Sequence, residues 1–379
     1  MMNVLSCRAV RSSALPSFLL LAMAWAGATY AQPGASGTPS STLLAIDGVI
    51  EGEKSGPAEN VSGISCARPR PSGQRTCIMV DDEVGFAQRV TLDGNVLRAG
   101  SRASNSVPIL TRLDDPEIRG RRPTGLGCPV HTGKFTQLDG EGIAFQETGA
   151  DGSGFFYVSG SHGCSRNSGE ERPSQFILAR IPYDAATDRF GAVVRTWRLS
   201  EALHTAAILG PRFGHPLDNT GGDGGLDIEG IAVDRDRLLV GFRAPNIDGR
   251  AFILPVPLGP LFATEWAVVP EQPIELPLER QEGIRDLASM ADGRVLVLTG
   301  PAPDKADVQP RLMAFDPRIG AASLVEIAKL PAPESNGAKY EGVTFLEQGG
   351  GAVSVVIVQD GPSNGRPTRY QFSIPHRSP

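Results

Sequence analysis

The chain offers little to several common function classes. It carries no run of basic residues and no zinc-finger spacing, and its net charge is -6. A nucleic-acid surface needs clustered Lys and Arg, so that class is excluded. The cysteines, at 7, 66, 77, 128 and 164, form no CxxC pair and stand in no His spacing that suits a structural metal. There is no GxSxG elbow, so an α/β-hydrolase reading fails. The loop "GLGCPVHTG" lacks the GxxxxGK[ST] pattern of a P-loop. Helical periodicity is scarce as well, and the fair stretch near Glu201 to Leu209 stands nearly alone. What the chain does have is 45 glycines and 31 prolines, the mark of many tight turns rather than long helices.

The N-terminus reads as a separate object. Arg8 and Arg11 precede an apolar run from Leu15 to Ala28, followed by small residues that offer cleavage after Ala28 or Ala31. This is the pattern of a secretory signal peptide over 1–31. The apolar run is shorter than the roughly 20 residues of a membrane span, so no stable span is expected after cleavage. A low-complexity linker over 32–40 is expected to be disordered. Removing the leader removes Cys7 and leaves an even number of cysteines in an oxidising compartment, periplasmic or extracellular.

The remainder reads as one domain over 41–376. The opening "EG-apolar" recurs in "LDGEGIAFQ" at Glu141, "LDIEGIAVD" at Glu229, "RQEGIRDLA" at Glu282 and "KYEGVTFLE" at Glu341. A fifth copy, "ENVSGISCA", keeps Gly63 but has Ser62 in place of glutamate. After each come two further short runs rich in β-branched and aromatic residues and bounded by Gly, Pro or Asp, which read as strands. The intervals from Gly230 to Gly283 and on to Gly342 suit one four-stranded propeller blade. The longer intervals before Gly230 imply insertions near 113–137 and 200–225. The last repeat ends after three strands, and "STLLAIDGVIEG" supplies an unpaired strand at the other end of the chain. Placed as the fourth strand of the last blade, it closes the ring and protects two sheet edges. The expected fold is therefore all-β, a β-propeller of five visible four-stranded repeats. A sixth blade hidden in an insertion is the alternative.

In a propeller the first strand of each blade lines the channel, and the second is its antiparallel partner. The start of the first and the end of the second then lie at one end of the blade. Glu229 meets Arg243 on this reasoning, and Glu141 meets Ser161 and His162. Glu341 meets Asp360, Ser62 meets Asp81, Asp82 and Glu83, and Glu282 meets Thr299. The expected site is this mouth. His162, Glu229 and Arg243 are the catalytic candidates, and Ser161, Glu141, Glu341 and Asp360 the ligand-binding ones. Asp81, Asp227 and Glu229 are candidate ligands for Ca²⁺ or Mg²⁺, hard cations that take carboxylate oxygens. The competing reading makes the glutamates structural glue between blades, and Asp227 a turn acceptor. Cys66 and Cys77 lie on consecutive strands and should pair across the hairpin. That leaves Cys128 for Cys164, a bridge that would pin an insertion over the mouth.

Three stretches carry a resemblance: "YVSGSHGCSRNSGEERPSQFILARI", "LDIEGIAVDRDRLLVGFRAPNIDGRAFILPV" and "YEGVTFLEQ". With them, residues 60 to 375 resemble a bacterial family known as domain of unknown function 3616. That resemblance implies no activity. More distantly, the "EG-apolar" blades look like the propeller family described as esterase-like activity of phytase. The carboxylate clusters of propeller phytases have no residue-by-residue match here. Two functions are carried forward: a metal-assisted hydrolase of phosphoesters, esters or lactones, and a non-catalytic periplasmic ligand-binding or scaffold propeller. In either case the expected partner is a small-molecule or anionic ligand and the expected state a monomer.

Overall fold

The computed structural model describes residues 39–53, 56–131, 135–165, 168–218, 224–265, 267–303, 306–333, 335 and 337–373. The leader read over 1–31 and nearly all of the linker read over 32–40 lie outside these residues. Among the described residues no helix is long and apolar enough to cross a membrane.

Five small antiparallel sheets are arranged in a ring, the architecture of a five-bladed β-propeller. Their inner strands are Val61–Cys66, Gly140–Glu147, Asp227–Asp234, Glu282–Ser289 and Lys339–Gly349, in blades 1 to 5. Each pairs with the next strand in sequence, and the sheet then meanders outward. The inner strands of blades 1, 3 and 4 are almost continuously buried, so they show none of the polar-apolar alternation of a half-exposed strand. No sheet is left over for a sixth blade among the described residues.

The ring closes as the unpaired N-terminal strand requires. Ser40–Leu43 lies antiparallel to Thr368–Ser373 and completes blade 5. The chain then does something the pattern does not announce. Ala45–Asp47 adds parallel to Val96–Ala99, the outer strand of blade 1. One segment thus straps the last blade to the first. The Asn364 side chain fastens it by accepting from the Ile50 N–H at 2.8 Å.

The core lies between blades rather than in one centre. Val356 and Val358 of blade 5 pack with Ile64 and Val90 of blade 1. Leu296 and Leu298 of blade 4 pack with Val353 and Val355 of blade 5. Leu239 of blade 3 packs with Ile284 and Leu287 of blade 4. The largest cluster joins Val80, Val158 and Val240 of blades 1 to 3, and it takes in Leu199 and Leu203 from the helix Arg198–Thr205. Each fully buried Leu or Val contributes about 1.5–3 kcal/mol, so Leu199 and Leu203 anchor the helical insertion to the blades.

Around the axis the inner strands approach backbone to backbone. A Cβ at Gly230 would lie 2.4 Å from the Asp286 Cα, and one at Gly342 would lie 3.0 Å from the Gly63 Cα. This is why the glycine recurs. It also corrects the repeat alignment in blade 4. The residue in the ring position there is Asp286, not Gly283, because Gly283 faces the Arg243 backbone instead. The opening "EGI" of that blade stands three residues early.

Candidate functional site

A β-bulge occurs in every inner strand. The register skips between Val61 and Gly63, between Gly140 and Ile143, between Ile228 and Gly230, between Ile284 and Asp286, and between Tyr340 and Gly342. The residues at these skips are Ser62, Glu141 (with Gly142), Glu229, Arg285 and Glu341. A bulge re-aims a side chain that the pleat would otherwise send into the sheet. Ser62, Glu141, Glu229 and Glu341 line one cleft of about 230 Å³ at the channel mouth. In blade 4 the bulge presents Arg285, a residue absent from the sequence-derived site.

Arg285 is 2% exposed. Its Nη2 donates to Glu341 Oε1 and lies 3.4 Å from Glu229 Oε2. One guanidinium therefore joins the bulge residues of the two flanking blades. Glu229 is held from its other side by Arg243, whose Nε lies 2.7 Å from Glu229 Oε1 and donates to Asp227 Oδ2 at 3.0 Å. Asp227, Arg243, Glu229, Arg285 and Glu341 form a continuous chain of alternating charge. Opposite-charge neighbours of this kind offset the cost of burying each ion.

The other half of the mouth is acidic and less well matched. Glu141 is 9% exposed and lines the cleft, and nothing among the described residues donates a hydrogen bond to its carboxyl. Burial pushes its pKa well above the usual range for glutamate, and Glu229, Asp139, Asp82 and Asp227 push it further. Asp82 is raised strongly for the same reasons, burial first and then Asp139 and Asp81. Its Oδ1 is buried without a partner. Asp139 accepts from the Ser161 hydroxyl and from Gln175 Nε2, the latter at 2.7 Å. Asp360 stands 3.8 Å from the Lys339 ammonium. Arg172, the cation on this wall, donates to Gln137 Oε1 at 2.8 Å.

The insertions frame the cleft. Cys66 is bonded to Cys77 and Cys128 to Cys164. Cys164 and Leu217 line the cleft wall. The Gly127 N–H donates to the Gly214 carbonyl at 2.7 Å, so the two insertions lean on each other beside the second bridge.

Several residues singled out in the sequence stand elsewhere. His162 does not line the cleft. It is 0% exposed in a left-handed turn (φ 51°), with Nδ1 at 3.0 Å from the Gly160 carbonyl and its ring edge-on to Phe176. Burial lowers its pKa to about 4. Asp81 also lies outside the cleft lining; its carboxylate accepts from the backbone N–H groups of Asn60 and Glu83, as a turn acceptor does. Among the described residues no three His, Cys, Asp or Glu side chains are grouped to hold a metal ion. The set of Asp81, Asp227 and Glu229 is therefore not assembled. Glu282 does meet Thr299, but inside blade 4, where it accepts from the Thr299 hydroxyl and from Arg311 Nε at 2.9 Å. It is blade glue. Asp286 plays a similar part between blades, accepting from the Val343 N–H at 2.6 Å and the Leu287 N–H at 2.8 Å. Ser161, Glu141, Glu229, Arg243, Glu341 and Asp360 all line the one cleft. Arg285, Asp139, Asp286, Arg172 and Lys339 were missed by sequence reasoning. The signal that finds Arg285 is the apolar register, in which "RDLA" matches "EGIA" once Leu287 is set against Ile231.

A sequence profile of a family described as "Protein of unknown function (DUF3616)" matches residues 170–373. No curated protein matches the chain. Among solved structures, the chain is similar to an α-L-arabinofuranosidase from Podospora anserina, with 11% identity and a TM-score of 0.43 over 88% of this chain and 97% of that one. A protein of unknown function from Dyadobacter fermentans gives 8% identity and a TM-score of 0.42 over 88% and 98%. A family 117 glycoside hydrolase from Zobellia galactanivorans gives 8% and 0.41 over 88% and 90%. At these identities the likeness concerns the fold alone.

Proposed function

Because the chain belongs to the DUF3616 family of proteins of unknown function, no activity comes to it by name, and we propose one from the mouth itself. The protein is a hydrolase of small esters or lactones, acting outside the cytoplasm. Glu141 is its proton donor and acceptor. The observation that carries this is the contrast between two neighbouring bulge residues. Glu229 is ion-paired with both Arg243 and Arg285, whereas Glu141 faces the cleft with no donor and a raised pKa. Two nearby carboxyls in opposed environments keep one protonated beside an ionised neighbour, and the protonated one is Glu141.

In the proposed step a water adds to the substrate carbonyl and the C–O bond to the departing oxygen breaks. The Glu141 carboxylic acid gives its proton to that oxygen. The proton lost by the attacking water returns to Glu141, so acid and alcohol are formed and the enzyme is restored. His162 has no part in this, since it does not line the cleft. Arg243 is committed to Asp227 and Glu229 and serves to hold them. A phosphoester is a poor fit, because a negative group would meet Asp82, Asp139, Glu141 and Asp360 on one wall. The step needs no metal ion, and calcium or magnesium would compete for the acidic wall. Placement outside the cytoplasm rests on the two disulfides, which persist in oxidising compartments.

The test is turnover of a panel of aryl esters, lactones and phosphomonoesters. Ester or lactone turnover is expected, with Glu141→Gln lowering kcat by about 10²–10⁴, the usual contribution of general acid catalysis. Equal turnover of phosphomonoesters would sink the assignment. A second reading, a binding propeller without turnover, is favoured by the closed ion-pair chain from Asp227 to Glu341, which suits rigid recognition. Specific ligand binding with no turnover of any panel member would select it.

A further inference from the structure

The five bulge residues are unevenly matched around the axis. Arg285 stands in blade 4 between Glu229 and Glu341, and Arg243 adds a second cation beside Glu229. Blades 1 and 2 bring Ser62 and Glu141 to the far side, and no bulge on that side supplies a positive charge. Asp82 and Asp139 add to the negative potential there. Of the cations in the lining there, Arg172 donates to Gln137 and Lys339 stands 3.8 Å from Asp360.

Three acceptors of cleft-lining residues have no donor among the described residues. Glu341 is 4% exposed, its Oε1 is taken by Arg285, and its Oε2 is buried with no partner. Asp82 Oδ1 is likewise buried and unpartnered. The Glu141 carboxyl faces the cleft without a donor. Buried polar atoms are normally satisfied, and the Glu141 carboxyl, which reaches the cleft, asks for a donor from outside the chain.

We propose that this half of the mouth holds the ammonium group of a small organic cation, which completes the ring opposite Arg285. The inference rests on the hydrolytic reading and deepens it, since it makes the ester or lactone substrate an amine-bearing one. An ammonium carries three donors and no acceptor, the complement of a lining that holds Asp82, Asp139, Glu141 and Asp360. A divalent metal ion would need several hard oxygens converging at about 2.0–2.6 Å, and no such group is assembled among the described residues. A cleft of about 230 Å³ also suits a compact molecule, since ligand pockets commonly run about 300–1,000 Å³. The raised pKa of Asp82 fits this picture, because a cation beside it would favour its carboxylate, while Glu141 keeps the proton that it gives to the departing oxygen.

The experiment is titration calorimetry of the mature protein with glucosamine, ethanolamine and putrescine. Glucose, ethylene glycol and butane-1,4-diol are the matched neutral probes, and calcium chloride is the metal probe. The amines are expected to bind at least about ten-fold more tightly than the matched alcohols, a gap of about 1.4 kcal/mol. Binding should release protons, seen as a dependence of the enthalpy on the buffer's ionisation heat, and should tighten as pH rises. Asp82→Asn should weaken the amines about ten-fold or more, and Glu141→Gln, which keeps an acceptor oxygen at the cleft, should weaken them by less. If a variant fails to fold, the proton release and pH dependence of the unaltered protein still decide the matter. Equal affinity for amines and alcohols, no binding of either, or calcium binding that excludes the amines would each overturn the proposal. Amine binding without ester turnover would remove only the hydrolytic reading. Ester turnover with no preference for amine-bearing esters would remove only this inference.

Discussion

Arg285 of blade 4 donates to Glu341 of blade 5 and lies 3.4 Å from Glu229 of blade 3. It thereby occupies, with inverted charge, the position that glutamate holds in its neighbours. The inversion is what lets carboxylates crowd a narrow axis. Without it the Glu229 and Glu341 charges would face each other across a buried space.

The first prediction follows from that role. Arg285→Met should destabilise the fold by about 3–5 kcal/mol, because both glutamates lose a buried partner. Adding Glu341→Gln should recover a substantial part of the loss. Arg285→Lys should recover little, since a single ammonium cannot reproduce the planar fork that spans two carboxylates. Urea denaturation of the three variants checks this. A loss below about 1 kcal/mol for Arg285→Met would show that the ring does not depend on the bridge.

A second prediction separates blade glue from site. Glu282 and Glu141 share the "EG-apolar" opening, yet Glu282 accepts from Thr299, Arg311 and the Glu279 N–H inside blade 4. Glu282→Gln should leave Arg311 under-compensated and cost about 3–5 kcal/mol, with no change in ligand affinity in the protein that still folds. Glu141→Gln should cost little or even stabilise, and should change affinity. Thermal melts paired with calorimetry distinguish the two, and the reverse pattern would refute the assignment.

The contrast shows where the sequence was legible. Five visible blades, with a sixth left open, ring closure by Ser40–Leu43 and the Cys66–Cys77 bridge follow from strand spacing and hairpin geometry, and Cys128–Cys164 follows by elimination. These are properties of runs of residues, and a period survives local variation. The register of blade 4 does not follow, because Gly283 imitates the ring glycine while Asp286 fills its place through a backbone approach that leaves no compositional trace. His162 was misplaced for a related reason. Strand pairing puts it at the mouth, but a left-handed backbone at one residue turns the ring inward onto Phe176, and histidine adopts that conformation without a glycine to announce it. The parallel addition of Ala45–Asp47 to blade 1 was hidden because three residues carry too short a pattern to read.

The two disulfides should behave differently. The Cys66–Cys77 bridge closes a separation of 11 within the hairpin of blade 1, whereas Cys128–Cys164 closes a separation of 36 and ties an insertion to the cleft wall. Chain entropy gives about 3 and about 4 kcal/mol respectively. Replacing Cys128 and Cys164 together by Ser should lower stability and also weaken ligand binding, because Cys164 lines the cleft. Replacing Cys66 and Cys77 should lower stability alone. Calorimetry on both double variants tests this, and unchanged binding after loss of Cys128–Cys164 would show that the bridge does not shape the mouth.

The pH dependence of stability is the last expectation, and it has two opposing parts. Glu141, Asp82 and Asp286 have folded-state pKa values well above their unfolded ones, chiefly through burial. Between the two values the folded protein holds more protons than the unfolded chain, so their contribution is fully present below the unfolded pKa and is lost as pH rises through the folded one. Asp81, raised to about 6, acts in the same sense from the ordinary aspartate range up to about 6. His162 acts oppositely. Its pKa is lowered to about 4, so the unfolded chain takes up its proton first and stability is lost as pH falls from about 6.5 towards 4. Between about pH 4 and 6.5 these four carboxyls oppose one imidazole, so stability should fall as pH rises through this range. Urea midpoints measured from pH 4 to pH 9 check the shape. Glu141→Gln and Asp82→Asn should each flatten the decline, since neither amide has a proton to lose. An unaltered decline in both variants would mean that the acidic wall carries its charge at no cost to the fold.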